Sequence, residues 1–173
     1  MKRILLLTLC FCYFNTAQAS FLVDPYIGTG LMKTTFDAAG TSNDDDNMSA
    51  MGVRAGYQFL LVSAGLDYTR GNAGDYKFTN TSFFVGVDLP ILLRVWAEYF
   101  ISSQLESDSS TFNAVGDIDF KKGSSLGIGF TGLPFVSLNL EIQNIDYESK
   151  IGTTAFDFQT AGYLFSVSLP LNF

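Results

Sequence analysis

The last eleven residues, Tyr163-Leu-Phe-Ser-Val-Ser-Leu-Pro-Leu-Asn-Phe173, leave few folds open. Tyr163, Phe165, Val167, Leu169, Leu171 and Phe173 alternate with Leu164, Ser166, Ser168, Pro170 and Asn172. Side chains in an extended strand point to opposite faces in turn, so one face of this ribbon is wholly apolar. The other is small or polar apart from Leu164. Chain ends tend to be exposed and loosely held. A ribbon that stays apolar to its last residue therefore needs a strand to pair with and an apolar medium to face. The expectation is a sheet closed by its own first and last strands.

The same period of two recurs along the chain. Residues 21–33 carry Tyr26, Gly28 and Gly30 on one face and Ile27, Thr29 and Leu31 on the other. Residues 49–59 set Met51, Val53, Ala55, Tyr57 and Phe59 against Gly52, Arg54, Gly56 and Gln58. Further strands are expected over 62–70, 79–89, 91–103, 124–131 and 135–147. Short turns are expected near Leu60-Leu61, Pro90 and Gly132-Leu-Pro134, and polar loops over 34–48, 71–77, 104–119 and 148–157. Several strands reach about ten residues, the length of a tilted strand crossing a bilayer. The count of about eight is even, as in bacterial membrane barrels.

A soluble lipocalin-like barrel also alternates, with its apolar face turned inward around a ligand. Three features favour the inverted arrangement. Long polar loops alternate with short turns. The non-apolar faces are rich in glycine, serine and charge, which suits a crowded lumen better than an apolar pocket. Aromatics sit near strand ends, Phe59, Phe135 and Phe173 at the turns and Tyr68, Tyr99 and Tyr147 at the loops, as candidate girdles. The predicted fold is all-β: an eight-stranded antiparallel up-and-down transmembrane β-barrel with long extracellular loops and short periplasmic turns.

Energetics orient individual strands. An arginine facing lipid at mid-depth costs roughly 2–4 kcal/mol, so Arg54 must point inward and Val53, Ala55 and Tyr57 outward. Between residues 91 and 103 both faces are bulky, and Arg94 with Glu98 decides the matter. They go inside and take Trp96 with them. Asp67, Asp88 and Glu141 join them, giving an expected lumen network of Arg54, Asp67, Asp88, Arg94, Glu98 and Glu141.

The N-terminus reads as an export signal. Met1-Lys2-Arg3 is basic, residues 4–14 form an apolar core too short to span a membrane as a helix, and Asn15-Thr-Ala-Gln-Ala19 supplies small residues before a cut. The expected division is a cleaved signal peptide, 1–19, and one barrel domain, 20–173. Bulky Leu9 before Cys10 speaks against a lipoprotein signal, and an uncleaved anchor is the other reading. Both cysteines, Cys10 and Cys12, fall in this segment, so the mature chain has no thiol chemistry. Without Lys2 and Arg3 the chain has eight basic residues against 17 acidic ones, a formal charge of −9. That balance excludes nucleic acid, which needs a basic footprint.

With these features in place, a family resemblance follows. Pro25-Tyr-Ile-Gly-Thr-Gly30 resembles the first strand of small outer-membrane barrels of the OmpA/OmpX type. Gly56-Tyr-Gln-Phe59 followed by Ala64-Gly-Leu-Asp-Tyr68 is similar to their second and third strands. Tyr163, Phe165 and terminal Phe173 are similar to the signal read by the outer-membrane assembly machinery. The resemblance implies the outer membrane of a Gram-negative bacterium, with lipid, lipopolysaccharide and that machinery as partners. It departs from longer members in having no periplasmic domain after the barrel, so peptidoglycan anchoring is not carried over. Prolines Pro90, Pro134 and Pro170 also sit at more strand ends than the pattern suggests.

The chain has no histidine. Barrel phospholipases, deacylases, acyltransferases and proteases rely on one as base or orienter, and a serine needs such a base to become a nucleophile. Ser63, Ser82, Ser125, Ser137, Ser166 and Ser168 are thus expected as small lumen residues. Asp44-Asp45-Asp46 lacks the alternating ligands and glycine of a calcium loop and is expected as a solvated loop tip, as are Asp117 and Asp119. No cofactor and no metal are expected. The function expected is a non-enzymatic structural or surface-interaction role, with extracellular partners met at loops 34–48 and 104–119. A narrow ion-conducting pore is the alternative, and a lipid-modifying enzyme comes third.

N-terminal sequencing of the protein recovered from membranes tests the first of these expectations. The expected first residue is Ser20; recovery of intact Met1 would contradict cleavage.

Overall fold

The computed structural model describes residues 19–36, 44–74, 76–107, 118–151 and 154–173. Eight antiparallel strands follow in chain order: β1 (Ser20–Phe36), β2 (Asp44–Phe59), β3 (Val62–Ala73), β4 (Tyr76–Leu89), β5 (Leu93–Ser107), β6 (Ile118–Phe130), β7 (Ser137–Ile151) and β8 (Thr154–Ser168). Each pairs with its sequence neighbours, and β1 pairs with both β2 and β8, so the sheet closes on itself. Pro170 cannot donate to a ladder, and β8 ends just before it. Beyond it the chain resumes as β9 (Leu171–Asn172), paired with Leu22 and Val23 of β1. Phe21 and Phe173 then exchange two backbone hydrogen bonds, of 2.9 and 3.0 Å. The closing ribbon does meet the first strand, as the terminal alternation required.

Alternation sorts the side chains into two environments. Ile27, Met51, Leu66, Phe83, Tyr99, Leu126, Ile142 and Phe165, one from each strand, are exposed on the outer wall. Asp24, Arg54, Asp67, Glu98, Glu141 and a set of serines are buried inside. Trp96 is buried with them, as its shared face with Arg94 and Glu98 required. Tyr147 is a correction. It was expected in an outer girdle but is buried in the lumen, on the same parity as Ser137, Asn139, Glu141 and Gln143.

The strands run further than the apolar alternation did. Thr34 pairs with Asp44 and Lys33 with Asp45, so Asp44 to Asp46 are ladder residues and not the tip of a loop. The expected loop 71–77 is a hairpin whose ladder continues to Ala73–Tyr76, with Gly74 in the turn at φ +55°. The expected loops 34–48, 104–119 and 148–157 are likewise strand at both ends, and Asp119 pairs with Glu148. The reason is physical. Once strands leave an apolar medium their outward residues become polar, which erases the alternation, while backbone hydrogen bonds keep the ladder intact. Residues 37–43, 108–117 and 152–153, with Asp117 and most of the signal segment, lie outside the described residues.

At the opposite end the connections are tight. Phe59 pairs with Val62 across Leu60-Leu61, and Leu89 pairs with Leu93 across residues 90–92. Leu60, Leu92 and Phe135 have φ of 57°, 62° and 66°. These left-handed conformations cost an ordinary residue roughly 1–2 kcal/mol, which glycine would avoid.

Glycine is needed where two interior side chains pass close to the opposite strand. Gly127 lies in register with Trp96, and a Cβ there would sit 2.1 Å from the indole ring. Gly52 stands in the same relation to the Tyr26 ring, at 2.5 Å. Gly127→Val should therefore expel Trp96 from its place and destabilise the barrel by about 1–3 kcal/mol or more. Denaturant unfolding in detergent micelles checks this, and Trp96→Ala in the same chain should restore part of the loss.

Candidate functional site

The interior is organised around Arg54 of β2. Four odd-numbered strands each send one carboxylate to its guanidinium: Asp24 from β1, Asp67 from β3, Glu98 from β5 and Glu141 from β7. Nε lies 3.0 Å from Asp67 Oδ2 and 3.3 Å from Glu98 Oε1. Nη2 donates to Glu141 Oε2 at 3.0 Å, and Nη1 is 3.6 Å from Asp24 Oδ2. The plane of the group is covered on two sides, 4.7 Å from the Tyr26 ring centre and 4.4 Å from that of Trp96. Such stacking suits a flat, weakly hydrated guanidinium and would not suit lysine.

A second arginine sits closer to the turns. Arg94 Nε donates to Asp88 Oδ1 at 2.6 Å, while Gln58 Nε2 donates to Asp88 Oδ2 at 2.8 Å. Arg94 Nη1 lies 3.5 Å from the same Asp24 oxygen that faces Arg54. Asp24 thus joins the two arginines into one network. All six residues picked out from the sequence are brought together, Arg54, Asp67, Glu98 and Glu141 in one group and Arg94 with Asp88 in the other.

Two members, Asp24 and Tyr26, escaped the sequence reading, and Ser82 was expected only as a small lumen residue with no assigned partner. Asp24 is buried and links the groups; Tyr26 donates to Asp67 Oδ1 at 2.9 Å; Ser82 donates to Glu98 Oε2 at 2.7 Å. Asp24 was accessible to the reasoning that placed Arg54, since a charge on a wall strand must face inward. Tyr26 carried no comparable signal, because tyrosine suits a girdle as well as a lumen.

Toward the loops the lumen changes character. Tyr26, Met32, Met48, Ala50, Ala73, Phe78 and Leu164 form one buried apolar cluster, and Phe100, Ile145, Tyr147 and Phe158 another. Tyr147 stacks on Phe158 with ring centres 5.2 Å apart and hydrogen-bonds Ser103 at 2.6 Å. The interior is charged near Arg54 and apolar above it, whereas Trp96 was the one large apolar side chain that the sequence reading had placed inside. Outside, at the loop end, Lys121 donates to Asp157 at 2.9 Å and faces Glu148 at 3.5 Å. The hydrogen bond to Asp157 holds its pKa above the ordinary lysine value.

The outer wall carries one further feature. A depression of about 810 Å³ spans β1 to β5, with Ile27, Met51 and Tyr68 in its lining together with Arg70, Lys77 and Gln104. Tyr163, Phe165 and Phe173 of the closing ribbon are exposed on the wall and at the turn end.

No known family's sequence model matches this chain, and no curated protein matches it by sequence. Its fold does match solved structures. Neisserial surface protein A superposes with a TM-score of 0.56 at 16% identity, over 88% of this chain and 98% of that one. Ail, the attachment invasion locus protein of Yersinia pestis, solved in complex with the heparin analogue sucrose octasulfate, superposes with a TM-score of 0.53 at 8% identity, over 87% and 99%. At such identities the likeness establishes the eight-stranded barrel fold, and fold alone does not carry function.

Removing Arg54 leaves its carboxylates buried without their cation, and breaking one side of a buried pair costs about 3–5 kcal/mol. Arg54→Leu should therefore lower stability in micelle unfolding by that order. Adding Asp67→Asn and Glu141→Gln should recover part of it. An unchanged unfolding midpoint for Arg54→Leu would contradict the network.

Proposed function

We propose that this chain is an integral outer-membrane β-barrel of the OmpA/OmpX kind, with a filled lumen and a structural or surface-interaction role that is not enzymatic. The observation that carries the proposal is the inverted partition of side chains. Charged and hydrogen-bonding groups are buried inside, while Ile27, Met51, Leu66, Phe83, Leu126 and Phe165 face outward. In water that wall would be a very large exposed apolar patch; in a bilayer it is matched to its surroundings. The signal-like segment 1–19 supports export, and the closing ribbon with Tyr163, Phe165 and Phe173 supports recognition by the assembly machinery.

An eight-stranded barrel is just wide enough for side chains to fill, and here the Arg54 network and the two aromatic clusters occupy it. This favours a closed lumen over the alternative, a narrow ion-conducting pore. Purified protein in planar bilayers should show no steady conductance steps; channel-sized steps would establish the pore instead.

The depression on the outer wall fits the lipid of the outer leaflet. Ile27, Met51 and Tyr68 offer an apolar floor for acyl chains; Arg70 is paired with Met51 at its loop-side edge, and Lys77, level with Asn72 and opposite Glu106, stands one pleat further on, where phosphate groups of lipopolysaccharide would lie. A basic residue near a charged membrane surface contributes about 1 kcal/mol. Replacing Arg70 and Lys77 together with alanine should therefore weaken retention of lipid A by roughly ten- to thirtyfold, measured as bound phosphate after detergent exchange. Undiminished retention would remove this site. Extracellular partners would be met at the segments 34–48 and 104–119.

A further inference from the structure

We propose that the turn end of the barrel is immersed in lipid rather than water, so that the apolar wall continues over the turns into the membrane leaflet on that side. The inference rests on the membrane reading above, and goes beyond it in assigning lipid contact to a surface that would otherwise face an aqueous compartment.

Three independent observations carry it. The first is chemical. The turns read Leu60-Leu61, Pro90-Ile91-Leu92 and Thr131-Gly132-Leu133-Pro134-Phe135, with Thr131 their sole polar side chain. Ile91 is 67% exposed and Phe135 85%, and Leu61, Leu92 and Leu133 are exposed with them. Phe59, Phe21 and Phe173 stand at the same end and are exposed too. Water-facing hairpin turns are ordinarily built from asparagine, aspartate and glycine.

The second observation is conformational. Leu60, Leu92 and Phe135 hold left-handed φ values of 57°, 62° and 66°, where glycine or asparagine would be unstrained. A bulky apolar side chain at all three turns is an unfavourable choice for the isolated fold. It becomes a favourable one if each side chain gains an apolar environment outside the protein.

The third is dimensional. The outward apolar run covers Val62 to Tyr68 on β3, Phe83 to Leu89 on β4, Met51 to Phe59 on β2 and Leu93 to Ile101 on β5. At about 3.3 Å per residue and a tilt near 40°, these runs rise only about 15 Å on β3 and β4 and about 20 Å on β2 and β5. On β6 the run from Leu126 to Phe130 rises about 10 Å. The apolar band of a membrane barrel is about 25 Å tall. On β1 the outward run from Phe21 to Leu31 rises about 25 Å by the same measure; on β2 to β6 the strands alone fall short, and the turns directly continue the wall on that side. Toward the loops no such extension is available, because Ser49, Arg70, Asn72, Lys77 and Gln104 take over the outward positions.

Spin labelling tests this in the full chain. In a Cys10→Ser, Cys12→Ser background, single cysteines replace Ile91, Leu133, Leu66 (mid-wall control, paired with Ala55) and Glu106 (loop-end control). Each labelled protein is reconstituted in phospholipid vesicles, and collision with oxygen, which concentrates in lipid, is compared with collision with a water-soluble nickel chelate. Labels at 91 and 133 should match the label at 66, with an oxygen-to-nickel ratio several-fold above that at 106. A ratio at 91 and 133 equal to that at 106, with 66 still in lipid, overturns immersion and leaves the membrane reading intact. A water-like ratio at 66 overturns both. Protection of 91 and 133 from both reagents overturns immersion as well, and assigns the turns to a second copy or another protein. A companion variant guards against a local effect of the label: Leu60→Asn, Leu61→Gly, Ile91→Asn and Leu92→Gly together should fold, and should shift the best bilayer for insertion toward shorter acyl chains. An unshifted optimum counts against immersion.

Discussion

A guanidinium buried inside a narrow barrel is the constraint on which the rest depends. Arg54 is 3% exposed and charged, and its burial would be prohibitive without partners. The partners come from β1, β3, β5 and β7, so satisfying one side chain holds five of the eight strands at one level. Net stability is not the chief gain, since buried ion pairs often do no better than apolar replacements. What the arrangement supplies is specificity. A slip of one residue in β1, β3, β5 or β7 turns its inward set outward, which would leave Arg54 short of a carboxylate and put an acid on the wall.

The aromatic packing serves the same geometry. Trp96 and Tyr26 cover the guanidinium only because Gly127 and Gly52 leave room for their rings. Arg94 and Asp88 extend the network toward the turns through Asp24. Above Arg54 the interior becomes aromatic, with Tyr147 stacked on Phe158, and charge gives way to packing. The interior thus carries two kinds of chemistry at two heights.

Most of the wall was legible in the sequence, because inside and outside alternate residue by residue and a charge settles the parity of its whole strand. Arg54 decided its strand correctly, and Arg94 with Glu98 decided theirs, Trp96 included. The same rule applied to Asp24 would have placed it, and applied to Tyr147 would have put it inside with Gln143. Strand ends were not legible. From Asp44 to Asn47 both faces are polar, and at Gln104 and Glu106 the outward face is, so backbone pairing rather than apolar alternation marks these residues as sheet. Tyr26 was invisible for another reason: its partner Asp67 lies 41 positions away, and nothing local records the meeting. The apolar character of the turns was plain in the sequence, but its meaning appears only with the backbone angles and the height of the wall.

The central claim is that this barrel is inverted, with its charges inside and its apolar face in an outer membrane. The most direct measurement is gel mobility of unheated against boiled protein taken from the outer-membrane fraction. A closed barrel resists unfolding by detergent until heated, so the expected result is recovery in that fraction with a clear mobility difference between the two samples. Recovery as a water-soluble periplasmic protein, running identically with and without heating, would contradict it.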